Sequence, residues 1–329
     1  MRIGVFCSGG DAPGMNACVR AVVRSAISGG HEVVGINRGY DGILDEDFFV
    51  NDQNEPKMTL RSVSGWSQKG GAVLRSSRSD RFRTPEGRLH AVSMLQRNGI
   101  DALIPIGGDG TLTGAIELKK IWKGQIVGCP GTIDNDLGGT DYTIGFSTAV
   151  STAANCIDKI RDTAESHERM FLIEVMGRHS GYIAVHAALA GGAEVVAIPE
   201  TKTNIGYIVD YLTLLKNRGK DSVMMIVAEG DEMGDAHQIN RQLIENDCPF
   251  STRIVVLGHL QRGGSPTPED RIRATQMGAA AIKAIIEGQD NIMIGVRGEE
   301  TCCTPLLDVV NGSHPIPDPL LKLMETMAS

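Results

Sequence analysis

The chain has 329 residues, with 32 basic and 40 acidic side chains and a formal net charge of −8. That length suffices for two domains with cores of their own, and the charge has the wrong sign for a general nucleic-acid binder. Apolar residues make up 41% and charged residues 22%, ordinary for a globular protein. No apolar stretch approaches the roughly 20 residues of a membrane helix. No nucleic-acid partner and no membrane span are therefore expected. The seven cysteines are scattered without C-x-x-C spacing, which argues against a disulfide framework or a zinc site and for a reducing, cytoplasmic setting. The opening MRIGVFCSGG enters strand-like sequence directly and lacks a signal-peptide layout.

Short Val/Ile/Leu runs predict strands and 3.6-residue periodicity predicts helices. A strand over 3–7 is followed by SGGDAPG and a helix over about 13–28, with Pro13 suited to its first turn and Gly29-Gly30 to its end. A second strand follows at 33–36. Residues 41–68 are polar and poorly periodic, so a loop-rich excursion is expected there. A strand over 102–106 leads into GGDGT and a helix over 112–122, and a strand over 126–129 leads into PGTIDND. The second half repeats the grammar: strands over 171–175, 195–198, 223–227 and 254–257 precede MGRHSG, Pro199-Glu200, Ala228-Glu229-Gly230 and GHLQRGG. Near-continuous apolar strands alternating with helices mean parallel α/β sheets, whose ligands collect at the carboxyl ends of the strands. The expected fold class is α/β, with two doubly wound, mostly parallel α/β/α sandwich domains facing across a cleft. No linker marks the boundary, so the chain is expected to cross between domains more than once.

The motifs at those strand ends suit phosphate. Glycine turns allow positive φ and close backbone approach, and the helix behind each offers unpaired N–H groups to an anion. Neither SGGDAPG nor GGDGT matches a P-loop or a dinucleotide fingerprint. Asp109 in the second turn suits either a magnesium ligand or a helix N-cap. PGTIDND is the sharpest cluster: Asp134 and Asp136 repel each other unless a metal, cation or proton intervenes, and Thr132 and Gly131 stand beside them. One such acid can accept a proton from an attacking alcohol while its neighbours hold a phosphoryl group. The arginines of MGRHSG and GHLQRGG suit bidentate phosphate contacts. Arg20 and Arg24, four apart on the first helix, read as a solvated stripe from periodicity alone.

Together these motifs resemble the bacterial-type 6-phosphofructokinase family over nearly the whole chain. SGGDAPGMNA, GGDGT, PGTIDND, DYTIGFSTA, MGRHSGY, AGGAE and GHLQRGGSPTPEDR occur in that family's order and spacing. The resemblance implies transfer of the γ-phosphoryl of MgATP to the 1-hydroxyl of fructose 6-phosphate. It implies an ATP-binding domain at 1–145 plus about 261–310, and a fructose 6-phosphate domain at 146–260 plus about 311–329. By the same resemblance Gly10, Tyr40, Arg78, Ser79, Gly108, Asp109, Gly110 and Thr111 surround ATP, and Asp109 holds Mg²⁺. Asp134 is the general base, with Thr132 and Arg178 near the transferring phosphoryl. Fructose 6-phosphate is held by Thr132, Asp134, Met176, Gly177, Arg178, Glu229, His259 and Arg262. Arg169 and Arg253 reach in from a neighbouring subunit, which makes a homotetramer a requirement of the site.

Relatives that use pyrophosphate carry a bulky acid where this chain has Gly110 and a lysine where it has Gly131. Two glycines leave room for a nucleotide, so ATP is expected as donor. An ADP or phosphoenolpyruvate effector is implied at Arg20, Arg24, Arg161, Glu194, Arg218 and Lys220. Asp221 and Ser222 stand where the family often has a basic pair, and the 45–65 segment aligns poorly, with Arg61 as the candidate for an arginine expected there. The strength or preference of effector binding is therefore expected to differ. The competing readings are a pyrophosphate-dependent enzyme and a catalytically silent nucleotide-sensing subunit. The silent subunit predicts eroded catalytic positions, yet Asp109, Thr132, Asp134, Arg178 and Arg262 are intact.

Overall fold

The computed structural model describes residues 1–328. In chain order its elements are β1 (Arg2–Cys7), α1 (Met15–Ser28), β2 (Glu32–Gly35), α2 (Gly39–Asp45), α3 (Asp80–Arg83), α4 (Pro85–Arg97), β3 (Ala102–Gly107), α5 (Asp109–Lys119), β4 (Gln125–Thr132), β5 (Ile144–Gly145) and α6 (Phe146–His167). There follow β6 (Met170–Val175), α7 (Tyr182–Gly191), β7 (Val195–Ala197), α8 (Ile205–Asn217), β8 (Val223–Ala228), α9 (Ala236–Glu245) and β9 (Thr252–Val256). A 3₁₀ turn (Gly258–Arg262) precedes α10 (Pro268–Ile286), β10 (Ile292–Arg297), β11 (Glu300–Pro305), α11 (Leu306–Asn311) and α12 (Asp318–Ala328). No helix is long and apolar enough to cross a membrane among the described residues.

Two compact units divide the chain. The first comprises 1–133, 137–148 and 262–314; the second comprises 134–136, 149–261 and the described residues from 315 onward. The chain therefore passes between them repeatedly, and the PGTIDND motif is itself shared.

The first unit is built on a sheet of order β11-β10-β4-β3-β1-β2, with β5 added beside the end of β4. All pairings are parallel except β10–β11. The strands of its centre are buried throughout: every residue of β3 is inaccessible, which explains its uninterrupted apolar run. The hairpin partner β11, ETCCTP, is exposed along much of its length. It has no apolar run, which is why the sequence pattern does not announce it. The expected excursion after residue 41 is only partly loop, because α2 occupies its start. Beyond it, Met58, Val63, Trp66 and Leu74 are buried and pin the irregular backbone to the unit; Met58 N–H donates to the Val33 carbonyl at 2.8 Å.

The second unit has an all-parallel sheet of order β7-β8-β6-β9. Its two central strands bury Met170, Leu172, Val223, Met225 and Val227 against α8 and α9. The tail belongs here as well, since the Tyr182 hydroxyl donates to the Pro315 carbonyl at 2.9 Å.

Candidate active site

In the first unit, register sets the site. Cys7 lies opposite Ile106, and Gly107 opposite Pro130, so the turns after β1, β3 and β4 leave the sheet at one edge. The helices entered from two of these turns lack side-chain caps: α1 begins after Gly14 and α5 after Gly108. Helices α4, α8, α9 and α10 are instead capped by their own Thr84, Asn204, Asp235 and Thr267 side chains. Of the two, α5 suits an anion, since its first residues Asp109 and Gly110 are exposed beside a glycine turn; the first turn of α1 is buried, with Met15 N–H and Ala17 N–H donating to the Ala12 and Gly14 carbonyls.

The two turns are laced together. Ser8 N–H donates to the Ile106 carbonyl at 3.0 Å, and the Thr111 hydroxyl donates to the Ser8 carbonyl at 3.1 Å. A side chain at Gly107 would collide with that hydroxyl, its Cβ falling 2.3 Å away. Thr111 is buried, so it supports the turns from behind. Asp109 and Gly110 are exposed on the open face. Nothing lies within 4 Å of a Cβ built at Gly110, whereas one at Gly131 would meet Met15 Cε at 2.7 Å and Ile106 Cγ2 at 3.1 Å. The two glycines thus differ: Gly110 keeps a space open, and Gly131 is closely packed, so that a side chain there would displace the flexible end of Met15.

Tyr40 is also a support. Its ring is buried between Phe6 and Phe82, stacked on the latter with centroids 4.0 Å apart, and its hydroxyl donates to the Thr111 carbonyl at 2.7 Å. Ser79 caps α3 and donates to Asp41, while Arg78 beside it is exposed. The same corner carries an ion network. Arg81 pairs with Asp41 at 3.2 Å and Asp45 at 2.9 Å, and Arg38 pairs with Asp45 at 3.0 Å and Asp47 at 2.8 Å. The Arg81 hydrogen bond holds the Asp45 carboxyl below its ordinary range; Asn37 and then Arg38 do the same for Asp47.

Two more residues complete this unit's share. Thr132 ends β4 nearly buried, with its Cβ 3.5 Å from the position a Cβ would take at Gly108. Arg262 donates from Nη1 to the Asp11 carbonyl at 2.9 Å. A Cβ at Gly10 would lie 2.7 Å from that nitrogen, so Gly10 is the residue that lets the guanidinium lie along the turn.

In the second unit, Asp134 is buried with Arg178 Nε 3.9 Å from its carboxylate. Its backbone is held by the Ser180 hydroxyl, which donates to the Asp134 carbonyl at 2.9 Å. The Met176–Arg178 turn is strained: Gly177 has φ 141° and Arg178 has φ 53°, conformations that persist only when neighbours hold them. Glu229 does so, accepting from Gly177 N–H at 3.3 Å and Arg178 N–H at 2.9 Å. Gly230 is obligatory beside it, since its Cβ would fall 1.6 Å from the Arg178 carbonyl oxygen. Ser180 and Gly230 lie inside the motifs, but their work as struts shows only in three dimensions.

Arg169 and Arg253 do not join this group. Arg169 precedes β6, and Arg253 sits opposite Phe171 near the start of the sheet, whereas Met176 follows the end of β6. At about 3.3 Å of rise per residue the separation along the strand is roughly 20 Å. His259 is exposed in the 3₁₀ turn.

Arg161, Glu194, Arg218 and Lys220 gather in the second unit around an open cavity of about 460 Å³, lined by Gly192, Glu194, Leu215, Arg218, Gly219, Lys220 and Met327. Buried Glu194 already pairs with Lys220 at 2.5 Å and Arg161 at 3.8 Å. Arg161 also donates to the Gly191 and Gly192 carbonyls. Among the described residues Arg218 has no carboxylate partner and is the cavity's uncommitted cation. Arg20 and Arg24 lie on α1 in the first unit, Arg24 exposed. Arg61 is exposed and pairs with Asp52 at 3.3 Å.

Glycine-capped helices, a buried carboxylate and guanidinium groups at the ends of parallel strands define a class of protein that handles phosphorylated ligands. The comparisons with known proteins narrow that class. The profile for phosphofructokinase matches residues 2–285. The chain is 49% identical over 327 residues to ATP-dependent 6-phosphofructokinase 1 of Thermus thermophilus, covering 99% of both chains. It is 46% identical over 326 residues to the ATP-dependent 6-phosphofructokinase of Cytophaga hutchinsonii, covering 99% of this chain and 97% of the relative. A phosphofructokinase structure from Saccharomyces cerevisiae superposes with a TM-score of 0.86 at 37% identity, over 94% of this chain and 45% of the yeast chain. A pyrophosphate-dependent phosphofructokinase from Marinobacter aquaeolei shares the fold, with a TM-score of 0.83 at 21% identity over 96% of this chain and 86% of that one. The chain belongs to the phosphofructokinase family.

The ion network at Arg81 gives a pH-dependent expectation. Carboxyls held below their ordinary range contribute stability above about pH 4 and lose it as they protonate on acidification. The groups are partly exposed, so the contribution is small. Arg81→Gln is expected to cost about 0.2–1 kcal/mol in urea unfolding near pH 7 and less near pH 3, where the lowered carboxyls begin to protonate. An equal loss at both pH values would mean the guanidinium acts through packing alone.

Proposed function

We propose that the protein is an ATP-dependent 6-phosphofructokinase of glycolysis, which transfers the γ-phosphoryl of ATP to the 1-hydroxyl of fructose 6-phosphate and yields fructose 1,6-bisphosphate and ADP. The observation that carries this reading is the buried Asp134 carboxylate beside the Arg178 guanidinium, in a chain that is 49% identical end to end to an enzyme named for this reaction. Phosphoryl transfer needs positioning and charge neutralisation more than covalent help from the protein. Asp134 accepts the proton of the sugar 1-hydroxyl as that oxygen attacks the γ-phosphorus and the bond to the ADP oxygen breaks. Arg178 and Thr132 stabilise the charge that develops on the phosphoryl oxygens. The glycine turn at Gly10, the first turn of α5 with Gly108 before it, and exposed Arg78 hold the donor's phosphates, with Tyr40, Ser79 and Thr111 as their support. Met176, Gly177, Glu229, His259 and Arg262 hold the sugar phosphate.

Mg²⁺ fits Asp109. Among the described residues no group of three or more His, Cys, Asp or Glu could cage a metal ion, and Mg²⁺ characteristically takes one or two carboxylates together with substrate phosphates and water. When bound, the ion neutralises charge on the donor's phosphates. ATP is favoured over pyrophosphate because Gly110 faces open space. The seven cysteines are all free thiols, which supports a reducing cytoplasm as the working compartment.

Two outcomes are expected for the reaction itself. Fructose 1,6-bisphosphate forms from fructose 6-phosphate with Mg²⁺ and ATP and not with pyrophosphate; turnover on pyrophosphate alone would overturn the donor assignment. Asp134→Asn binds both substrates as wild type does and loses about 10²–10⁴-fold in kcat; near-normal turnover would remove Asp134 from the role of base.

The effector reading is that ADP or phosphoenolpyruvate binds between subunits through Arg218, with Lys220 and Arg161 shared with Glu194 and with Arg20 and Arg24 of a neighbouring subunit supplying further charge. Arg218→Ala should reduce, at least fivefold, the shift that either effector causes in half-saturation by fructose 6-phosphate. An unchanged shift would locate the effector elsewhere.

The position of Arg169 and Arg253, roughly 20 Å along the strands from Met176, supports their serving a neighbouring subunit in a homotetramer. Asp134→Asn and Arg253→Ala proteins, each inactive alone, should regain turnover when dissociated and reassembled together. No recovery would mean each subunit completes its own site.

A further inference from the structure

Asp270 has no part in the reaction outlined above, yet it is the most heavily engaged buried carboxylate in the first unit. It is completely inaccessible and sits in the first turn of α10, where its N–H donates to the capping Thr267 hydroxyl at 3.3 Å. One carboxylate oxygen accepts from the Tyr142 hydroxyl at 2.9 Å and from Gly145 N–H at 2.7 Å. The other accepts from Thr148 N–H at 2.8 Å and from the Thr148 hydroxyl. All these donors come from the short stretch 142–148, more than 120 residues away in sequence.

That stretch is what the end of β4 leans on. Gly131 and Thr132 pair with Ile144 and Gly145, and the Thr143 hydroxyl donates to the Thr132 carbonyl at 2.7 Å. The first glycine turn rests on the same group. A Cβ at Gly145 would lie 2.6 Å from Ala12 Cβ, and one at Gly14 would lie 2.9 Å from Ile144 Cγ2 and 3.3 Å from Asp270 Cβ. The carboxylate therefore sits behind both the anion turn 8–14 and the Thr132 backbone, tied to each through one intermediate segment.

We propose that Asp270 is a positioning residue for the phosphoryl-transfer step, fixing Thr132 and the first glycine turn through the 142–148 segment. The energetics favour this role over simple packing. A buried carboxylate is costly unless its lone pairs are filled, and charge-assisted hydrogen bonds are short and strong enough to fix what they hold. Burial raises the carboxyl's pKa while the hydrogen bonds from Thr148, Gly145 and Tyr142 pull against it. An apolar residue would fill the same volume but leave two backbone N–H groups, those of Gly145 and Thr148, without acceptors.

The inference rests on the proposed reaction, so wild-type turnover of ATP and fructose 6-phosphate is measured alongside. Asp270→Asn keeps the shape but turns an amide N–H₂ toward one pair of donors. It is expected to lower kcat at least tenfold while KM for ATP and for fructose 6-phosphate move less than threefold, because small displacements of reacting groups cost rate more than binding. Leu95→Ala, in the core between α4 and its neighbours, supplies a comparable loss of stability and should keep the wild-type kcat. Tyr142→Phe removes a single donor and should lower kcat at least threefold with KM unchanged; it decides the matter should Asp270→Asn fail to fold. A folded Asp270→Asn variant with wild-type kcat, or one whose losses match Leu95→Ala, would overturn the positioning role and leave the reaction standing. Absence of turnover in the wild type would overturn the proposed reaction, and the positioning role with it.

Discussion

The parallel register of β1, β3 and β4 is the constraint from which the rest of the first unit's site follows. Because Cys7 stands opposite Ile106 and Gly107 opposite Pro130, three chain segments turn at one level and must share a small volume. Glycine is forced at Gly107 by the Thr111 side chain and the Ser8 carbonyl, and Gly131 packs closely on Met15 and Ile106. Thr111 and Tyr40 then fill the space behind the turns and satisfy the carbonyls of Ser8 and Thr111. What remains on the outer face is backbone N–H, Asp109 and an open position at Gly110. A sheet with antiparallel pairing here would scatter these turns to both ends.

The second unit meets a similar demand by strain. The Arg178 guanidinium reaches the Asp134 carboxylate from a left-handed backbone, and such a conformation would relax if Glu229 did not bind both amide groups of the turn. Glu229 is thus engaged in holding the loop with one oxygen. The two units fix their motif loops by different routes, one through close packing of glycine turns and one through a clamped turn.

Much of this was legible in the sequence. Apolar runs interrupted by glycine located eight of the parallel strands to within a few residues, and the order of the motifs carried the family. The hairpin β10–β11 was missed: β11 is an exposed polar strand with no apolar run, and the buried run of β10, which pairs parallel with β4, ends in no glycine motif that drew it into the pattern. The pinning of the 49–79 stretch by Met58, Val63, Trp66 and Leu74 was equally hidden, since isolated apolar residues in an irregular segment have no period. Among site residues, the pattern identifies chemistry but not orientation. The resemblance places Tyr40, Ser79 and Thr111 around ATP, and in the structure their hydroxyls donate to Thr111, Asp41 and Ser8. Asp270 stands inside the GHLQRGGSPTPEDR motif without a reading of its own, because its partners lie in a segment no local pattern connects to it.

The fit of Gly131 against Met15 bears on how a side chain could enter at that position over evolutionary time. A Cβ there would lie 2.7 Å from the methionine's terminal methyl group and 3.1 Å from Ile106 Cγ2. Because that methyl is the free end of a flexible side chain, a larger residue would re-seat Met15 and press on β3 without rebuilding β4. Position 110, open to solvent, accepts a side chain at no packing cost. The two positions can therefore change independently and in either order, the first at a modest cost in packing and the second at none.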